Sequence, residues 1–386
     1  MINIYFRFMY SVQPSYWEKT SFLDNIDIAI IGAGIVGVSA AIYAKRKYPN
    51  NKVVIFDRGF IGSGASTKNA GFACFGSISE LLDDLQHSSE AEVFELLGQR
   101  YEGLVHLLEL VGQDVLEYSP CGGYELFRQE EESFAQECMD QIPYFNNRVR
   151  SITGLDETYT IDAKKVKDSG FSNITTCIAN RAEGKLHPGK MMQALYAKAK
   201  SLGVVFFNGA EVSEITESKD GALLTLANGW PIQVSELIVA NNGFAKKLLP
   251  DLELKSVRNQ VMVTSKIKNL QTDGTFHLYK GYFYFRNIDS RILIGGGRHI
   301  DLEGETTNSF GNNTIIENAL LEMLDSVILP NIIYTIENKW SGILGVGASK
   351  QPICKKYSKH ITLAVRLGGM GVALGSLLGK NAVNHI

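Results

Sequence analysis

Cysteine is scarce and unpatterned in this chain. Cys74, Cys121, Cys138, Cys177 and Cys354 are scattered, odd in number and never spaced C-x-x-C. That argues against a disulfide framework and for buried free thiols in a reducing, cytoplasmic setting. Charge of one sign is also lacking: the formal net charge is -3, and no long basic run or basic helix offers a surface to nucleic acid or acidic lipid. Nor is there an apolar run of membrane-spanning length. Ile28 to Ala44 is uncharged but falls short of the roughly twenty residues a span needs, and Leu367 to Gly379 is shorter still. No transmembrane segment is expected, and peripheral association through the small-residue C-terminal stretch is left open. Met1 to Asn25 is rich in aromatics yet lacks the basic start and continuous apolar stretch of a signal peptide. It reads as an extension packed on the first domain or a partly disordered tail. No internal repeat and no acid–base dyad stands out, and no metal is expected. What remains is a 386-residue chain with a 45% apolar fraction, enough for two domains with substantial cores and suited to small-molecule chemistry.

The most informative feature present is Ile28-Ala-Ile-Ile-Gly32-Ala33-Gly34-Ile35-Val36-Gly37, followed by a helix-like run and then Val53-Val-Ile-Phe-Asp57-Arg58. It reads as strand, glycine turn, helix and second strand ending in a carboxylate. Gly32 permits the turn, Gly34 lets a pyrophosphate approach bare backbone, and Gly37 lets the helix lie close to the strand. The pyrophosphate then meets the amides and positive end of that helix. Asp57 falls about twenty residues after the last glycine, where an acid binds ribose hydroxyls. The spacing is shared by FAD and NAD sites and does not choose between them.

Beyond this unit, Ser79 to Val111 carries apolar residues at helical spacing and predicts two helices. Gly122 to Phe127 predicts a strand, Gln129 to Gln141 a helix, and Pro188 to Leu202 a helix begun by proline and closed by Gly203. Short strands with turns run from Val204 to Ala240. A β-rich stretch covers Val257 to Ser265, Tyr282 to Phe285 and Arg291 to Gly295, and Asn312 to Leu329 predicts a helix. Leu367 to Gly379 predicts a turn and a closely packed helix.

At Gly64-Ala65-Ser66-Thr67-Lys68-Asn69-Ala70-Gly71 the chain resembles the D-amino-acid-oxidase-like family of FAD-dependent oxidoreductases, which includes glycine oxidase, sarcosine oxidase and D-amino-acid dehydrogenase. The match continues in order through His187-Pro188, Gly209-Ala-Glu-Val212, Ile238-Val-Ala-Asn241-Asn-Gly243, Ile294-Gly-Gly-Gly-Arg298, Trp340-Ser-Gly342 and the glycine-rich end. The resemblance implies an α/β fold, with a Rossmann-like FAD-binding domain and an interleaved α+β substrate domain built on a mostly antiparallel sheet. The expected division gives 1–25 to the extension, 26–77, 180–250 and 335–386 to the FAD domain, and 78–179 with 251–334 to the substrate domain.

By the same resemblance the cofactor is non-covalent FAD. Besides the opening glycine turn, Asp57 and Arg58, its expected contacts are Ala65, Ser66, Thr67, Asn69, Ala70 and Gly71 near the pyrophosphate and flavin, and Val212 at adenine. Asn241, Gly243 and Gly342 join them, with Gly368, Gly369, Met370, Gly371 and Val372 at the flavin edge. The implied reaction passes a hydride from a small amine or amino-acid-like substrate to flavin N5. Family members commonly clamp a substrate carboxylate with arginine in W-x-G-x-R-P, but Leu344 and Gly345 stand there instead. Arg258, Arg298 and Arg366 are the candidate replacements. Tyr282 completes the substrate-positioning set; Tyr124 and Phe283 read equally as further pocket walls or as core aromatics. The missing arginine also admits a hydroxy acid or polyol phosphate as substrate, or a flavin-binding partner subunit whose catalytic site has decayed. The electron acceptor (oxygen, quinone or protein) and any oligomer are left open.

Overall fold

A computed structural model describes residues 13–386 of the protein. Residues 1–12 of the expected extension lie outside the described residues, while Tyr16–Glu18 and Lys19–Leu23 form helical turns that leave Tyr16 and Trp17 exposed.

The first sheet grows from Ile26–Ile31, whose side chains other than Asp27 are buried, as a strand covered on both faces requires. Its main path runs 353–356, 361–365, 231–239, 26–31, 53–57, 205–208. Every neighbour on that path is parallel except the first pair. A hairpin, Val212–Ser218 and Gly221–Leu226, extends Pro231–Val239 on its antiparallel side. The opening helix Ile35–Lys47 starts at Gly34 and ends in Lys45, Arg46 and Lys47, which complement the negative end of its dipole.

The second sheet has eight strands in the order 336–346, 255–264, 291–296, 283–288, 275–278, 123–128, 174–180, 159–161, antiparallel throughout except where Thr275–Leu278 meets Gly123–Arg128. The fold is therefore the expected Rossmann-like layer joined to a mostly antiparallel sheet. One expectation needs correction. The strand Ile336–Val346, grouped with 335–386 in the FAD domain, is hydrogen-bonded to Lys255–Thr264 in the second sheet. Its first half is exposed and its second half mostly buried, which suits an edge strand better than a parallel strand buried on both faces.

Cross-strand pairing lines up Trp340, Val261, Gly295, Tyr284, His277 and Glu125 in one row. Paired residues share a face of the sheet. Phe283 and Phe285 alternate to the other face and enter the core.

Two layers of helix hold the sheets together. The closing helix Gly371–Ala382 packs against the opening helix and against the long helix Glu90–Val111. Its small residues set the distance: a Cβ on Gly379 would stand 2.5 Å from the Val36 carbonyl oxygen, and one on Gly103 of the long helix 2.1 Å from that of Ala373. The small-residue stripe thus serves close packing. Among the described residues no helix is long and apolar enough to cross a membrane.

Candidate active site

The turn after the first strand is built as its glycines require. Gly32 has φ +109°, and a Cβ there would lie 2.8 Å from the Ala240 carbonyl oxygen. A Cβ on Gly37 would lie 1.9 Å from the Gly32 carbonyl oxygen, so helix and turn touch through bare backbone. Asp57 secures the same turn, accepting hydrogen bonds from the amides of Ala33 and Gly59, each at 2.7 Å. Burial raises its pKa above the usual carboxylate range, partly opposed by those two bonds. Ser66 accepts a bond from the Ile35 amide at 2.9 Å, joining the Gly64–Gly71 loop to the helix start.

These parts surround a cavity of about 330 Å³. Asp57, Arg58 and Val212 bound it at one end, and Gly368, Gly369 and Gly371 at the other. Arg58 lies 3.7 Å over the Phe244 ring. Asn241 Oδ1 is buried without a hydrogen-bond partner among the described residues, and its residue faces this cavity, so a ligand with a polar group fits there. Added Cβ atoms on Gly64, Gly368, Gly369 and Gly371 would meet nothing within 4 Å, leaving room for a flat ring system against backbone.

A second cavity of about 480 Å³ adjoins the first, and Ala65, Asn69, Leu344, Leu367, Gly368, Gly369 and Val372 belong to both walls. Its remaining wall includes Ala70, Gly71, Gly342 and Met370, the sheet residues Asn259, Val261, His277 and Tyr284, the turn residue Tyr282, and the charged residues Lys68, Glu80, Arg100, Glu183, Arg298 and Arg366. Trp340 ties this wall to the loop through its indole N–H, which donates to the Lys68 carbonyl at 2.9 Å.

Most of the expected residues converge on the two cavities. Ala33, Thr67, Gly37 and Gly243 line neither. Ala33 and Thr67 act through the turn and loop they hydrogen-bond, Thr67 Oγ1 donating to the Gly62 carbonyl at 2.9 Å. Gly37 and Gly243 are sites of close approach, a Cβ on Gly243 falling 2.6 Å from the Leu344 carbonyl oxygen. The three candidate arginines separate. Arg258 is bound at 2.7 Å to the buried Glu305 carboxylate. Arg366 reaches the second cavity, but its guanidinium donates to the carbonyls of Gln351 and Glu253 at 3.0 and 3.2 Å. Arg298 reaches the same cavity without an ion pair or hydrogen bond among the described residues. Tyr282 lies beside it, against the His299 ring at 4.5 Å. Of the two readings open for Tyr124 and Phe283, core aromatics is the one found: Tyr124 stacks on Phe276 at 5.2 Å, and Phe283 faces the core. Tyr284 takes their place, its hydroxyl accepting from Asn259 at 2.9 Å.

Sequence reasoning missed a buried polar group at the inner end of the second cavity. Glu183 Oε1 accepts from the amides of Phe75 and Gly76 at 2.8 and 3.1 Å, and burial pushes its pKa up to about 8. Glu125 accepts from the hydroxyls of Ser77 and Ser79, and burial pushes it up to about 7. His277 is buried, its Nε2 has no partner among the described residues, and desolvation lowers its pKa, so the ring is neutral at neutral pH. Alternation from Tyr282 would have found Tyr284. Glu183 and His277 carry no local signal, because only tertiary contact makes them neighbours.

Residues 27–384 match the sequence family described as DAO, FAD dependent oxidoreductase. A probable oxidoreductase OrdL from Rhizobium meliloti is 24% identical over 372 residues, spanning 92% of this chain and 81% of that protein. Glycine oxidase from Bacillus cereus superposes with a TM-score of 0.73 at 17% identity, over 93% of this chain and 96% of that one. L-proline dehydrogenase from P. horikoshii gives 0.72 at 16% identity, over 94% and 93%.

Proposed function

The chain belongs to the DAO family of FAD-dependent oxidoreductases, and on that premise we propose that it oxidises a small amine or amino-acid-like compound by hydride transfer to flavin N5. The observation that carries this reading is the shared wall of the two cavities, which opens the dinucleotide site directly onto a second pocket lined by charged and aromatic side chains. Glycine oxidase and L-proline dehydrogenase, whose names each specify an amino acid, support it through their similarity of fold. Bound in the first cavity, FAD supplies a two-electron acceptor.

The chain's own residues hold and orient. Gly32, Gly34 and the start of the opening helix would receive the pyrophosphate, Asp57 the ribose, and Val212 the adenine. Gly368 to Val372 would bring amides and the positive end of the closing helix toward the ring, favouring negative charge there. Tyr282 and Arg298 would position the substrate from one wall of the second pocket. Replacing Arg298 with glutamine is expected to raise KM for an anionic substrate about fivefold while kcat changes little, because the lost contact is made equally in ground and transition states. Steady-state kinetics checks this, and an unchanged KM removes Arg298 from the site.

A hydroxy acid or polyol phosphate is the second reading, favoured by Leu344 where relatives carry the clamping arginine. Anaerobic mixing of the FAD-loaded protein with amino acids, N-methyl amino acids and hydroxy acids separates the two. Bleaching by an amine supports the proposal; bleaching by hydroxy acids alone overturns it.

A further inference from the structure

The second cavity is lined by a buried guanidinium that forms no ion pair among the described residues. Arg100, on the helix Glu90–Val111, is only 4% exposed and lines this cavity. Its Nη1 donates to the Phe75 carbonyl at 3.2 Å, and its Nε has no partner among the described residues. The nearby carboxylates are otherwise committed. Glu183 takes two backbone amides, and burial pushes its pKa up to about 8. Glu80 accepts from the Ser77 amide at 3.2 Å, Asp83 is paired with Lys280 at 2.7 Å, and Asp84 is paired with Lys350. A guanidinium does not shed its proton, and a buried charge without a partner is costly. The rest of the wall adds His277, a second buried polar side chain with an unpartnered nitrogen. A neutral imidazole carries one N–H to donate.

We infer that Arg100 is the binding group of an interior carboxylate subsite, with His277 as a further polar wall residue, so that an anionic substrate is gripped from the long helix rather than from the strand that carries Leu344. A planar guanidinium with free N–H groups suits a carboxylate better than a point charge does. The inference rests on the oxidoreductase reading only in calling the anion a substrate.

The test is calorimetric titration of the FAD-loaded protein with propionate and with propionamide, its uncharged analogue. Propionate is expected to bind the parent protein and propionamide to bind at least about tenfold more weakly. Arg100→Gln is expected to weaken propionate about tenfold and to leave propionamide unchanged. Arg100→Lys keeps the charge without the planar fork, and is expected to weaken propionate about threefold. It carries the test if the glutamine variant fails to fold, as judged by flavin content and melting temperature. Absence of propionate binding to the parent protein, an equal Kd in the Arg100 variants, or equal binding of both probes overturns the subsite. So does a shift in flavin midpoint potential with no change in propionate Kd, which would place Arg100 against the ring instead. Propionate binding without bleaching by any amine would sink the oxidation reading alone, and bleaching without propionate binding would sink this subsite alone.

Discussion

Replacing Gly37 with valine is expected to give protein that carries on the order of a tenth of one FAD per chain or less. The Cβ alone would lie 1.9 Å from the Gly32 carbonyl oxygen and 3.2 Å from Ile30 Cγ2, and neither backbone nor strand core can yield that distance without moving the turn. Gly32 itself has no slack, since its own approach to Ala240 is already close and its φ is +109°. The turn would shift, Asp57 would lose its bond to the Ala33 amide, and the first cavity would lose its floor. The ratio of flavin to protein absorbance after purification reads the outcome, with circular dichroism to show that the variant is folded. A folded variant with full flavin content would refute the argument.

Replacing Glu183 with alanine is expected to cost about 4 kcal/mol, because two buried amides, those of Phe75 and Gly76, lose their acceptor together. Glutamine keeps a carbonyl oxygen for them and mimics the protonated carboxyl, so its effect depends on pH. The folded state raises Glu183 from 4.5 to about 8, which means it binds the proton more tightly than the unfolded chain does. Its stabilising contribution is therefore complete below the unfolded pKa and is lost as pH rises through the folded one. Glu125, raised to about 7, acts in the same direction over a shorter range. Melting temperatures should fall from pH 5 to about pH 8 in the parent protein and fall less steeply in Glu183→Gln, which becomes the more stable of the two above pH 8. Parallel curves would show that Glu183 is ionised in the folded protein.

The opening strand, turn, helix and acid were legible in sequence because every constraint on them is local: hydrophobic period, glycine spacing and a carboxylate at fixed distance. The closing helix was legible for the same reason, its glycines marking contacts as tight as that between Gly375 and Ile35, where an added Cβ would fall 2.4 Å from Cγ2. The span from 142 to 179 was not read, although it holds the helices Ile142–Thr153 and Ala163–Ser169 and the strand Ile174–Asn180. Pro143 looks like a breaker but sits in the first helical turn, and the left-handed Gly154 and Gly170 that end those helices resemble ordinary loop glycines. The strand order of the second sheet was hidden because its pairings join distant segments, such as Thr275–Leu278 beside Gly123–Arg128. The second cavity suffered most. Arg100 reads as one more polar residue on an amphipathic helix, and only the tertiary fold turns it inward.

The first sheet has a consequence for synthesis. Its central strand Pro231–Val239 is flanked by Ile26–Ile31 on one side and Ile361–Val365 on the other, so neighbours in space are synthesised far apart in time. Contacts of such sequence separation form slowly, and loop closure must precede any gain from them. Until residues 231–239 are synthesised, Ile26–Ile31 lacks its partner on that side, and until Gly371–Ala382 follows, part of the buried face of the helix Ile35–Lys47 stays uncovered. The nascent chain is accordingly expected to need protection from aggregation until Ile361–Val365 and Gly371–Ala382 emerge. A dinucleotide lodged in the first cavity would touch both Gly32–Gly34 and Gly368–Gly371, and would so stabilise the joining of these distant segments.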